Sequence, residues 1–477
     1  MNKSQKGFST VSIVLTVVLI LLLVFVVAGI NRKKNVQTGI RKSFWERIFS
    51  KKSPSNNSDQ LFPSDGNTPP PPAPTDITPN PIPSPSGGST PTSTPTPTLS
   101  GVVSVGKVPS EYQALYDKLN SKLDAFIAKL GQPGSADVIY GAGLITANPN
   151  AGETLLQPTT FETSKKYLDR LQDLGVEGIA LDINYPLMDP QFQGQDKADQ
   201  YLAFYKKLFE EMKKRNMKTS VEVQPIFPNF SSLPVTPYYQ SMSFETYKER
   251  VADMLVLVAR ELKPDYLSVE NEPSTAQTNT GFPIANLENN ITMITYFLDE
   301  LNKSGVNGVK YGAGFGNWQQ SHQTWADRFI NIPELDFFNI HIYPMDGDYL
   351  DRAITIIDTM EAKGKPVIES EAWDNKWQTG DAGSVAASQE VSSRNAYSFW
   401  QPIDVKFLEA LAKFAENKNF EFISPFWSQF FFGYMDYNSA KNLSASKRFT
   451  DSIKTGVNAA LAGQTTETGR KYQELIK

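Results

Sequence analysis

From about Val108 to Lys477 the chain alternates short apolar runs with longer amphipathic ones. "ADVIYGAGLI" precedes "FETSKKYLDRLQDLG", and "VEGIALDINY" precedes "DKADQYLAFYKKLFEEMKKRN". "MKTSVEVQPIF" precedes "SFETYKERVADMLVLVARELK", and "PDYLSVENEP" precedes "NNITMITYFLDELNKSG". Then come "VKYGAGFGNW", "LDFFNIHIYP" with "YLDRAITIIDTMEAKG", "KPVIESEAW" with "VKFLEALAKFAENK", and "FEFISPFWSQF". The longer segments place apolar residues three and four apart and end near Gly or Asn, as helices do. The runs between them are bounded by turn residues and read as strands covered on both faces. Eight such strands, most followed by a helix, predict an α/β fold, a (β/α)8 TIM barrel with loop insertions, rather than a doubly wound open sheet. "YGAG" recurs at Tyr140 and Tyr311, in the first and fifth candidates, which favours a barrel of similar halves. "GAGFGN" has the wrong spacing for a dinucleotide fingerprint.

Ahead of this zone the pattern changes twice. After a leader of residues 1–10, "VSIVLTVVLILLLVFVVAGI" (Val11–Ile30) is uncharged and long enough to cross a bilayer as one helix. A cleaved signal peptide would have a shorter apolar core and a small-residue cleavage site, whereas "NRKKN" follows here. The leader "KGFSTVS" resembles that of prepilins, cut between Gly7 and Phe8, but has Ser12 where pilins carry glutamate. Residues 31–52 are basic, and "KSFWERIFSKK" interleaves bases with apolar side chains as a membrane-surface segment or a solvated tether would. Residues 53–107 are Pro/Ser/Thr-rich, too poor in large apolar groups to fold, and read as a semi-stiff spacer. The positive-inside rule would keep the C-terminal flank in the cytoplasm. A spacer has its use outside the cell, so a membrane-anchored, extracellular domain is the expectation.

Composition narrows the chemistry. A net charge of -5 gives no basic footprint, which argues against nucleic acid as the main partner. With no cysteine, disulfides, iron–sulfur clusters, thiolate zinc sites and a cysteine nucleophile are excluded. His322 and His341 are the only imidazoles, so a three-histidine metal site is excluded as well. No cofactor is called for.

Barrel enzymes carry their functional groups at the C-terminal ends of the strands. Those ends offer Asp182 and Asn184, Glu222 and Gln224, Glu270, Asn271 and Glu272, Asn317 and Trp318, His341 and Tyr343, Glu369, Glu371 and Trp373, and Trp427 and Gln429. The set is acidic, amide-rich and aromatic, and has no lysine for Schiff-base chemistry and no phosphate-gripping basic cluster. It suits a carbohydrate, whose hydroxyls meet polar groups and whose CH faces meet rings. Two carboxylates on separate strands are what glycoside hydrolysis needs, one protonated and one ionised.

"NEP" on strand four, "HIY" on six, "SEAW" on seven and "FW" on eight resemble the clan A glycoside hydrolases, which include many cellulases, mannanases and galactanases. The resemblance covers the folded zone only. It implies a retaining mechanism, with Glu272 as acid/base and Asn271 contacting the sugar. "KPVIESEAW" offers two candidate nucleophiles, and Ser370-Glu371-Ala372 matches the clan better than Glu369. Tyr343 would hydrogen-bond the nucleophile, with His341 beside it, and Trp427 would be the indole platform. Where many members carry an arginine after strand two and a histidine after strand three, this chain has "ALDINYP" and "VEVQPIF". Asp182, Asn184 and Gln224 stand in those places, and Trp373 is a further candidate subsite wall. Glu270 and Glu369, each two residues before a proposed catalytic acid, read as structural partners on the same barrel face. The competing readings are a glycan-binding surface barrel without catalysis, which needs no paired carboxylates, and a pilin-like structural protein.

Overall fold

The computed structural model describes residues 104–343, 345–377, 381 and 389–477. The predicted leader, membrane span, basic segment and nearly all of the spacer lie outside those residues. Among the described residues no helix is long and apolar enough to cross a membrane.

Eight parallel strands close into a barrel in sequence order. They are β1 (Ile139–Gly143), β2 (Gly178–Asp182), β3 (Lys218–Glu222), β4 (Tyr266–Ser268), β5 (Lys310–Gly316), β6 (Phe337–Ile342), β7 (Val367–Ala372) and β8 (Phe422–Ile423). A helix that the apolar pattern did not single out, α1 (Ser110–Leu130), precedes β1. The crossovers carry α2 (Pro158–Asp173), α3 (Gln195–Lys214), α4 (Phe244–Glu261), α5 (Leu287–Lys303), α6 (His322–Phe329), α7 (Tyr349–Glu361) and α8 (Gln401–Asn417). After β8 come α9 (Ala445–Leu461) and α10 (Glu467–Ile476). Helix α6, short and polar in composition, was also not visible in the pattern. Helix α1 is tied to the barrel through Phe126 on Phe414 of α8, ring centroids 5.4 Å apart, and Tyr116 stacked on Trp400 at 5.8 Å.

The barrel interior is layered. At the N-terminal end Ala180, Tyr266, Phe337, Ile368 and Phe422 form a small apolar cluster of their own, with Ile139 against it. Each fully buried ring contributes roughly 1.5–3 kcal/mol by leaving water. The "YGAG" repeat serves this layer. A Cβ on Gly141 would stand 2.4 Å from the Phe422 ring, and one on Gly312 would stand 2.3 Å from the Phe337 ring. Glycines on β1 and β5 thus make room for two phenylalanines, and the repeat records packing. Above the apolar layer the register sets Asp182 beside Glu222, Glu222 beside Ser268, and His341 beside both Gly316 and Glu371. Strand ends that were only short motifs in the sequence therefore meet at one level.

Candidate active site

Strand β3 places Glu222 at the centre of this polar layer. Glu222 accepts hydrogen bonds from Asn271 Nδ2 at 2.7 Å, from the Ser370 hydroxyl and, at 3.4 Å, from Asn339 Nδ2. Asn339 Nδ2 also reaches Ser268 Oγ at 2.9 Å. His341 lies above it, fully buried, with Nε2 3.2 Å from Glu222 Oε1 and Nδ1 3.0 Å from Glu272 Oε1. Burial alone would keep this imidazole neutral. The charges of Glu222 and Glu371, helped by the hydrogen bonds to Glu222 and Glu272, outweigh burial and lift its pKa well above the ordinary value. As an imidazolium it donates from both nitrogens. Burial likewise pushes Glu222 upward, but His341, Ser370 and Asn271 hold it below the usual carboxylate range.

Glu272 and Glu371 face the same ring nitrogen. His341 Nδ1 is 3.0 Å from Glu272 Oε1 and 3.7 Å from Glu371 Oε2, so those two oxygens stand no farther apart than the sum of the two distances. Tyr343 donates to Glu371 Oε2 at 2.7 Å. Regular alternation would send Ser370 and Glu371 to opposite sides of β7. The pairing of β7 with β6 shifts register between Asn339 and His341, so that Ser370 reaches Glu222 while Glu371 stands opposite His341. Glu369 is fully buried elsewhere, its Oε2 accepting from the Ser424 amide at 3.1 Å. Glu270 accepts from the Glu272 amide at 2.8 Å, and burial pushes its carboxyl up to about 8.

A cavity of about 630 Å³, part of it open to solvent, lies over this layer. Asp182, Glu272, Glu371 and Tyr343 line it together with Asn148, Asn150 and Asn375, and Phe227, Phe230, Phe426, Trp427 and Phe449 supply its aromatic wall. Of the residues named from sequence, Asp182, Glu272, Glu371, Tyr343 and Trp427 are lining residues. His341 and Asn271 are not; both are buried and act through Glu222 and Glu272. Two further expectations need correction. Trp373 is fully buried against Phe407, Phe430 and Phe431, with ring centroids 5.5–6.5 Å away, and belongs to the core. Asn184 and Gln224 are buried and line no part of the cavity; Asn184 Oδ1 caps the Gln224 amide at 3.3 Å.

Asp182 and Glu222 were legible as acids at the ends of strands two and three, yet nothing in their local sequence separated them from Asn184 and Gln224. Asp182 is half-buried, receives Asn148 Nδ2 at 3.2 Å and lines the same cavity as Glu371. Burial first, then the charge of Glu222, pushes it up to about 7. Glu371 is raised well above the ordinary range by burial and then by Asp182. Each carboxylate thus disfavours ionisation of the other within the same cavity. Glu222, His341 and Glu371 also bring one potential metal-ligating atom each within 4.8 Å of one another. The imidazole nitrogens and the Glu222 oxygens are already engaged in the hydrogen bonds above, so a cation there would have to displace them.

No protein-family model matches the chain, and no curated protein matches it. Solved structures similar to it include the AHE enzyme from Alicyclobacillus herbarius, at 13% identity and a TM-score of 0.45, covering 72% of this chain and 98% of that one. Thermotoga maritima Cel5A in complex with mannotriose is similar at 11% identity and a TM-score of 0.42, covering 66% and 96%. The GH53 catalytic domain of Ignisphaera aggregans is similar at 18% and 0.41, covering 64% and 88%. A closed eight-stranded barrel with acids at the ends of β4 and β7 is the arrangement that the resemblance to the clan A glycoside hydrolases implies.

Proposed function

We propose that this protein is a retaining glycoside hydrolase acting on an oligo- or polysaccharide, with Glu272 as acid/base and Glu371 as nucleophile. The observation that carries the reading is the convergence of these two carboxyls on one nitrogen of His341 within one cavity. The sum of the two contact distances falls at the bottom of the roughly 6.5–9.5 Å range of inverting enzymes and so leaves room for the roughly 5–5.5 Å of retaining ones. Glu272 Oε1 is occupied by His341, whereas its Oε2 has no partner, which makes Oε2 the oxygen to carry the transferable proton. In the first step that proton passes to the glycosidic oxygen, a Glu371 oxygen bonds to the anomeric carbon, and the carbon–oxygen bond to the leaving group breaks. In the second step Glu272 removes a proton from water, the water oxygen bonds to the anomeric carbon, and Glu371 leaves as carboxylate. Tyr343 stabilises the charge that returns to Glu371, and Trp427 offers a face for the sugar's CH groups.

The test is a panel of nitrophenyl glycosides with NMR identification of the anomer first released. Hydrolysis with retention is expected, with a loss of about 10²–10⁴-fold in Glu272→Gln and Glu371→Gln. An inverted first product, or full activity in both variants, overturns the assignment. The sequence supports a second element of the reading, that Val11–Ile30 anchors the chain in a membrane and residues 53–107 hold the barrel outside the cell. Protease shaving of intact cells checks it, since a barrel that survives shaving but is cleaved after lysis is not on the outer surface.

A further inference from the structure

Just past Glu371 the chain gathers three buried charges around one turn. Lys376 is fully buried, and so are Asp374 and Asp404 on either side of it. Lys376 Nζ is 2.7 Å from Asp374 Oδ1 and also bonds Asp404 Oδ1 of α8. Tyr434 donates to the other oxygen of Asp404 at 2.5 Å. Such a cluster is weak as a source of stability, because desolvation offsets much of its attraction, and its use here is to fix geometry. The backbone agrees. Asn375 N–H donates to the Trp373 carbonyl at 2.9 Å and Trp377 N–H to the Asn375 carbonyl at 2.7 Å, two successive three-residue turns that meet at Asn375. Arg394 Nη1 holds the Lys376 carbonyl at 3.0 Å.

What this turn holds in place is the Asn375 side chain, which lines the cavity with 2% of its surface exposed. A second asparagine, Asn395, is fully buried outside the cavity lining and orients the first. Asn395 Oδ1 accepts the Lys376 N–H at 3.4 Å, so its NH₂ faces Asn375 and donates to Asn375 Oδ1 at 2.8 Å. An amide oxygen accepts and an amide nitrogen donates, so these two bonds leave one orientation for each group. The Asn375 NH₂ is thereby turned away from Asn395 and has no partner among the described residues. The other asparagines of the cavity differ, since Asn148 Nδ2 donates to Asp182 at 3.2 Å and Asn150 Nδ2 to Asn148 Oδ1 at 3.0 Å. The Tyr343 hydroxyl is likewise engaged, with Glu371. A buried amide N–H without an acceptor is costly, and a bound sugar oxygen would relieve that cost.

We propose that Asn375 is a specificity-determining residue of this site, donating from Nδ2 to a hydroxyl oxygen of the sugar, and that Asn395 is the positioning residue that keeps the donor side of that amide toward the cavity. The proposal rests on the reading of Glu272 and Glu371 as the catalytic pair. An ionised carboxylate reads a hydroxyl by its hydrogen, whereas Asn375 reads one by its lone pairs. A sugar with hydrogen in place of that hydroxyl leaves the amide unpaired and loses the contact.

The experiment measures kcat and KM of the full chain on nitrophenyl glucosides, galactosides and mannosides and on their monodeoxy forms, for wild type, Asn375→Ala and Asn395→Asp. Asn375→Ala is expected to lower kcat/KM about tenfold on the parent glycoside, and to leave it within about twofold of wild type on the one deoxy form that lacks the contacted hydroxyl. In Asn395→Asp both carboxylate oxygens accept, so the Asn375 NH₂ turns toward them and presents Oδ1 to the sugar. The same loss with the same dependence on that deoxy form is expected, a pattern that a general loosening of the turn would not give. If thermal unfolding shows that Asn395→Asp does not fold, Asn395→Ala, which frees the Asn375 amide to rotate, takes its place with a loss of at least about threefold. An Asn375→Ala variant that is fully active, or equally impaired on every deoxy form, overturns the contact and leaves the glycosidase reading standing. Full activity in the folded Asn395 variant overturns the positioning role. If wild type cleaves none of the glycosides, the glycosidase reading falls and this inference falls with it.

Discussion

Replacing Glu270 by glutamine gives the most direct access to the electrostatics beneath the site. Glu270 is 3% exposed and accepts from the Glu272 amide at 2.8 Å, and burial raises its carboxyl from the ordinary 4.5 to about 8. Below pH 4.5 the group is protonated in both folded and unfolded chains and contributes no pH dependence. As pH rises, the unfolded chain sheds the proton and the folded chain keeps it. The folded state then binds more protons, so stability falls, and the loss is complete only above pH 8. Each pH unit in this window costs ~1.4 kcal/mol, so wild type should lose about 3 kcal/mol through this group alone between pH 4.5 and pH 7. Glu270→Gln cannot titrate. Any pH-independent cost of the amide, together with the pH dependence shared with Asp182, Glu369 and His341, cancels when the variant–wild-type difference is followed with pH. Urea denaturation of both proteins from pH 4 to pH 7 should show Glu270→Gln gaining about 3 kcal/mol on wild type across the range. A difference that stays flat within ~1 kcal/mol would refute the claim that Glu270 holds its proton in the folded protein. Activity should remain within about tenfold of wild type, since Glu270 orients Glu272 only through a backbone amide. A variant as inactive as Glu272→Gln would return Glu270 to the catalytic machinery.

The remaining predictions concern the nucleophile and the core. The acid limb of the kcat/KM–pH profile should lie well above the ordinary carboxylate range, with activity falling as pH drops through it, because burial and the charge of Asp182 raise Glu371 and a protonated Glu371 cannot attack. In Asp182→Asn the like charge is gone and the limb should move to lower pH; an unmoved limb would show that Asp182 does not raise Glu371. Trp373→Ala should destabilise the fold by about 3–5 kcal/mol, read in thermal or chemical unfolding, because the ring packs against Phe407, Phe430 and Phe431. A raised KM at unchanged stability would instead put the indole on the substrate.

The barrel was legible because each strand is apolar enough to be covered on both faces and each crossover carries a helical period. Two helices escaped the pattern for physical reasons. Helix α1 has a narrow apolar stripe, Leu115, Leu119, Leu123 and Phe126, in an otherwise polar segment that follows the linker. Helix α6 is eight residues long, too short for its period to stand out. Glu272 and Glu371, the proposed catalytic pair, could be named from the sequence because strand ends are where a barrel concentrates chemistry. Cavity walls were less legible. Phe230 and Phe449 come from loop and helix positions far apart in the chain, and their meeting at the cavity depends on crossover paths that no local motif encodes. Trp373 failed in the opposite sense, since its place beside the nucleophile in sequence does not say on which side of β7 its ring emerges.

The glutamates spaced two apart show how far local rules reach. Alternation along a strand predicts that Glu270 and Glu272 share a face, as do Glu369 and Glu371. On β4 the relation has a function, because the Glu270 carboxyl holds the Glu272 amide and stays protonated while doing so. On β7 the register shift breaks it, sending Glu369 to the Ser424 amide and Glu371 to Tyr343 and the cavity. A one-residue irregularity in strand pairing therefore decides which of these two acids faces the cavity. Burial then divides the acids by charge state. Glu222 faces His341 and is held below the usual carboxylate range, whereas burial pushes Glu270 up to about 8 and Glu369 well above its ordinary value. Asp182 belongs to neither group: it lines the cavity beside Glu371, and burial followed by the charge of Glu222 pushes it up to about 7.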